Sequence, residues 1–126
     1  MGYLVQESGG NKMNLTPEQI DNINKTIAEA CGWLCVDIPI TTTTAKILLD
    51  PMGVERDLPG YFHDLNACRE MAESIRDVEV YTNYLLKLRL LCQRALQAPE
   101  EASAPQRCEA FIRTVLGDKA WEELVK

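Results

Sequence analysis

Apolar positions recur along this chain in two rhythms, and the change from one to the other organises it. In residues 16–32 the rhythm is helical. Ile20, Ile23, Ile27 and Cys31 return at intervals of three and four, which is one face of a helix. Thr16 is placed as the N-cap, Pro17 sits at the first helical position, and Gln19 completes a capping box. Gly32 stops the helix. From Leu34 the rhythm shortens to alternation, with Cys35 and Asp37 opposite Val36, Ile38 and Ile40. A β-branched run, Thr41 to Thr44, leads into Ala45, Lys46, Ile47, Leu48 and Leu49. This pattern predicts two strands in a hairpin. Pro39 puts the first strand at a sheet edge or a bulge there, and Asp50-Pro51-Met52-Gly53 reads as a turn.

The helical rhythm then returns. A second helix is expected after Asp57-Leu58-Pro59, with Tyr61, Leu65, Cys68, Ala72 and Ile75 inward. A third is expected from about Val78 to Leu96, with Tyr81, Leu85, Leu88, Cys92 and Ala95 inward. Its wheel is unusual, because Leu86 and Leu90 point the other way, one turn apart. Residues 97–102 read as a loop. A second capping box, Ser103 with Gln106, opens a fourth helix burying Cys108, Phe111, Ile112 and Val115. Gly117 ends it, and Asp118 is expected to cap a tail helix carrying Trp121, Leu124 and Val125. The expected fold class is α/β: a small sheet of two or three strands, led by an antiparallel hairpin and sandwiched between α-helices. Residues 1–13, with Gly9-Gly10-Asn11 and no periodicity, read as a flexible, dispensable leader to a single domain over 14–126.

At 126 residues the chain can bury one sound core. Its net charge of −6 is uneven: residues 1–79 hold 6 basic and 13 acidic side chains, residues 80–126 hold 7 and 6. No Lys/Arg cluster is dense enough to track a phosphate backbone, which disfavours a nucleic-acid polymer as partner. A small anion needs only two or three positioned cations or a helix start. No apolar run approaches the roughly 18 residues of a membrane span. The start of the chain lacks the basic and apolar stretches of a signal peptide. Five cysteines at irregular spacing then read as reduced thiols in the cytoplasm. With one histidine, His63, and no Cys-x-x-Cys, neither a metal site nor a cofactor is expected.

Three segments share a likeness. Ala30-Cys31-Gly32-Trp33 closes the first helix. Leu58-Pro59-Gly60-Tyr61-Phe62-His63-Asp64-Leu65-Asn66-Ala67 opens the second. Gln106-Arg107-Cys108-Glu109-Ala110-Phe111-Ile112-Arg113-Thr114 lies in the fourth. In that order they resemble three blocks of the phage ABA sandwich family, small α/β proteins encoded by bacteriophages and prophages, over roughly residues 14–116. The resemblance implies a small sheet with helices on both faces and a phage gene product of unassigned function. It carries no shared catalytic residue. The chain departs from the family where a third strand would fall, near 94–97, and in the Thr41–Thr44 hairpin.

No catalytic residues are expected. His63 and Asp64 are sequence neighbours, about 100° apart on a helix, and do not face each other. Cys68 is expected a turn or more into its helix, as a small packing group. The candidate ligand-binding residues are Trp33, Tyr61, Asn66, Ser103 and Arg107, with the Ser103–Arg107 helix start ranked first for phosphate. Leu86 and Leu90 are the candidate interface of a homo-oligomer, a dimer in its simplest form. The competing account has the tail helix folding back over them. The expected function is that of a non-catalytic phage accessory protein in the host cytoplasm. It would bind and sequester or inhibit a host component, either a protein or a small anionic nucleotide immune signal. The alternative is an adaptor acting only through protein contacts; an enzyme ranks last.

Overall fold

The computed structural model describes residues 15–41 and 43–126. The leader assigned to residues 1–13 lies outside them. Among the described residues five α-helices and one two-stranded antiparallel sheet make a small α/β fold. In chain order these are α1 (Pro17–Ala30), β1 (Leu34–Ile40), β2 (Thr43–Leu49), α2 (Leu65–Glu73), α3 (Val78–Arg94), α4 (Ala104–Val115) and α5 (Asp118–Leu124), with a 3₁₀ turn at Pro99–Glu101. Among the described residues no third strand forms near 94–97, where Leu96 takes a positive φ of 56° after α3. No helix there is long and apolar enough to cross a membrane.

Local chemistry sets the helix ends. In α1 the Thr16 hydroxyl accepts from the Gln19 amide at 3.1 Å, while the Gln19 side chain accepts from the Thr16 amide at 2.9 Å. Ser103 and Gln106 repeat the device at α4. Two boundaries differ from the pattern. α2 begins at Leu65, because Gly60 accepts from the amides of His63 and Asp64 in a separate turn, and Asp64 then caps the helix through the Asn66 amide at 2.9 Å. Gly117, not Asp118, occupies the cap position of α5.

The hydrophobic core is chiefly helical. α4 lies at its centre, in contact with α1, α2, α3 and α5. Ala104, Cys108, Ala110, Phe111 and Ile112 are buried along it, against Ile23 and Ile27 of α1, Met71 of α2, Leu88 and Cys92 of α3, and Trp121 of α5. Some expected inward residues are outside: Leu65 at the start of α2, Val115 at the end of α4, and Tyr81 and Leu85 of α3 are exposed, the last two because the inner face of α3 turns on Tyr84, Leu88, Leu91 and Cys92.

The sheet runs Leu34 opposite Leu49 through Ile40 opposite Thr43, with Thr41 at a positive φ of 45° in the turn. The ribbon contributes little to the core. Leu48 packs against it, while Leu34 and Ile38 stay exposed. The ribbon's root is fixed by Asp50, whose carboxylate accepts from the Met52 and Val54 amides and the Arg56 guanidinium, each at 2.9 Å. Arg56 in turn lies over the Trp33 ring at 5.0 Å. The Val54 amide, with that of Met52 and the Arg56 charge, holds the Asp50 carboxyl below the ordinary carboxylate range. Its stabilising contribution is therefore complete above the unfolded value of about 4, and is lost as pH falls through the lower folded value. Asp50→Asn should lower the melting temperature at neutral pH and flatten its decline below about pH 4. An unchanged acid limb in thermal melts would show that this carboxylate does not anchor the turn.

Candidate functional site

A cleft of about 540 Å³ opens where α2 and α3 meet the first turn of α4. Its volume falls in the range of small-molecule sites, roughly 300–1,000 Å³. α2 supplies Asn66, Arg69 and Glu73 at helical spacings of three and four, so they line one face, with Leu65, Cys68 and Ala72 beside them. α3 adds Tyr81 and α4 adds Arg107.

The two arginines set the electrostatics. The Arg107 guanidinium is fixed from behind: its Nε donates to the Ala102 carbonyl at 3.1 Å. Burial pushes the pKa of the nearby Tyr84 phenol up to about 12, against the lowering effect of the Arg107 charge. Arg69 is exposed on the other wall. Among the described residues neither is ion-paired to a carboxylate, whereas Arg56 pairs with Asp50 and Arg113 with Glu109 and Asp118. A planar guanidinium held by one edge keeps its remaining N–H groups for an anion.

Cys68 borders the cleft. α2 begins at Leu65, so Cys68 sits one turn in, as its sequence position suggested, with its amide making the helix's first internal bond, to the Asp64 carbonyl at 3.0 Å. The side chain is buried, and its thiol donates to the Tyr61 carbonyl at 3.1 Å. The adjacent Cys108 thiol, with Arg107, draws the Cys68 thiol below its ordinary value against the effect of burial. Burial pushes Cys108 well up.

Of the candidate ligand-binding residues, the structure brings Asn66 and Arg107 into this one cleft and leaves the others elsewhere. Ser103 is occupied in its capping box with Gln106. Tyr61 is in the core, where burial raises its pKa strongly. Trp33 is buried at the ribbon's root under Arg56. His63 is exposed, in the turn before the Asp64 cap. Arg69, Glu73 and Tyr81 complete the cleft and were not singled out by sequence reasoning. The available signal was the polar stripe Asn66–Arg69–Glu73, running beside the apolar one on the same helix.

No protein-family model, curated protein or solved structure matches this chain.

Proposed function

We propose that the protein is a non-catalytic binding protein whose α2–α3–α4 cleft takes a small anionic ligand bearing a flat ring, a nucleotide being the class that fits. The observation carrying this reading is the pair Arg69 and Arg107 in one cleft, without carboxylate partners among the described residues. Two guanidiniums suit a phosphate, the half-exposed Tyr81 ring offers a stacking face, and Asn66 and Glu73 can hydrogen-bond a base edge or a sugar hydroxyl. Sequestration of a host nucleotide signal by a phage protein in the host cytoplasm is the biological form of this reading. Its support is the likeness of the three sequence blocks. The adaptor reading draws on a separate observation, the bare apolar side chains of α3.

Mass spectrometry of material extracted from the purified protein, followed by calorimetric titration with nucleoside monophosphates and cyclic dinucleotides, tests it. Arg69→Ala and Arg107→Ala should each weaken nucleotide binding by about 10- to 100-fold, the scale of a charge-assisted hydrogen bond. Arg69→Ala is the cleaner variant, since Arg107 also holds the Ala102 carbonyl. Absence of binding to every nucleotide in the panel, or an affinity that neither variant changes, would overturn the assignment.

A further inference from the structure

α3 leaves large apolar side chains in solvent on a scale no other helix here approaches: Val78 is 81% exposed, Leu86 55%, Leu85 45%, Leu90 43% and Tyr81 40%. The tail helix does not cover Leu86 and Leu90. α5 packs against α4 and α1, with Trp121 buried there. A groove of about 400 Å³ between α3 and the 3₁₀ turn, floored by Leu85, Leu86, Leu88 and Pro99, extends the apolar surface. Leu85 and Leu86 share this groove and Leu90 lies one turn beyond Leu86, whereas Tyr81 borders the α2–α3–α4 cleft; exposed apolar strips of this kind mark contact surfaces.

The charges on the same face select the occupant. Glu79 stands near the N-terminal end of α3, and Arg89 and Arg94 near its C-terminal end. All three are exposed, and none is in an ion pair among the described residues. We infer that the face binds a second copy of this chain, with the two α3 helices antiparallel about a two-fold axis near Leu86. This pairing sets Leu86 against its counterpart and Leu90 level with Thr82 of the second copy. It sets Glu79 level with Gln93 of the second copy, within about a turn of Arg89 and Arg94 there. Parallel pairing would oppose Glu79 to Glu79 and Arg89 to Arg89. The charge pattern is thus self-complementary in one orientation only, as an isologous interface requires.

Sedimentation velocity and light scattering on the full chain test this. Wild type should have twice the 14.2 kDa chain mass at about 50 μM. Leu86→Glu/Leu90→Glu should be a monomer with the wild-type circular dichroism spectrum, because neither side chain is in the core. Glu79→Arg should weaken dimerisation at least about tenfold, and adding Arg89→Glu and Arg94→Glu should restore it. The restoration arm uses exposed charges only, so it stands even where the leucine variant fails to fold. A wild-type monomer, a larger assembly, a dimer that survives Leu86→Glu/Leu90→Glu, or charge reversal without restoration would each overturn the inference.

Discussion

Phe111→Ala should destabilise the protein by about 3–5 kcal/mol, moving the urea midpoint down by roughly 2 M. Phe111 is 1% exposed at the middle of α4, the helix that α1, α2, α3 and α5 all contact. Removing its ring forfeits the transfer free energy and opens a void. The helix carrying it is held by four separate elements, which limits how far they can close on the void together. A domain of this size has a net stability of about 5–15 kcal/mol, so the variant should be close to the margin at 37 °C. A loss below about 1 kcal/mol in urea unfolding would mean that the helices around α4 are loosely docked.

Gly117→Val should cost about 1–3 kcal/mol, roughly 5–15 °C in melting temperature. The residue joins α4 to α5 at φ 106° and ψ 155°, a region essentially reserved for glycine. No atom lies within 4 Å of where a β-carbon would sit, so the cost is conformational and not steric crowding. The corner must hold this shape for Trp121 to reach the core. Gly60→Ala is the matched control, since Gly60 is equally open and lacks a positive φ. It should shift stability by no more than about 0.5 kcal/mol. Equal melting temperatures for the two variants would show the α4–α5 corner to be pliant.

What could be read from the sequence was what short-range chemistry decides. Both capping boxes, the hairpin and the stops at Gly32 and Gly117 depend on residues within a few positions of one another. The start of α2 was misplaced because Pro59 resembles a first helical residue, while the actual boundary depends on Gly60 closing a turn and Asp64 capping the next. The inward face of α3 could not be chosen from a wheel carrying apolar residues nearly all round. The docking of α4 chooses it, and leaves Tyr81 and Leu85 outside. The cleft is legible only in part for the same reason. Arg69 and Arg107 are far apart in the chain, and their approach comes from three helices packing together.

The ribbon has two outer edges, and an open edge invites a further strand from any passing chain. Here the two are blunted at opposite ends. Near the tip of β1, Pro39 removes a donor from the ladder. At the root of β2 the chain doubles back, bridging Glu55 to Leu49 and donating the Arg56 amide to the Leu48 carbonyl at 3.2 Å. The charged pair Asp37 and Lys46 sits level across the middle. An intruding strand therefore meets a missing donor and a charge on the β1 edge, and a charge and an occupied acceptor on the β2 edge. A hairpin that adds little to the core is thereby kept from becoming a seed for aggregation.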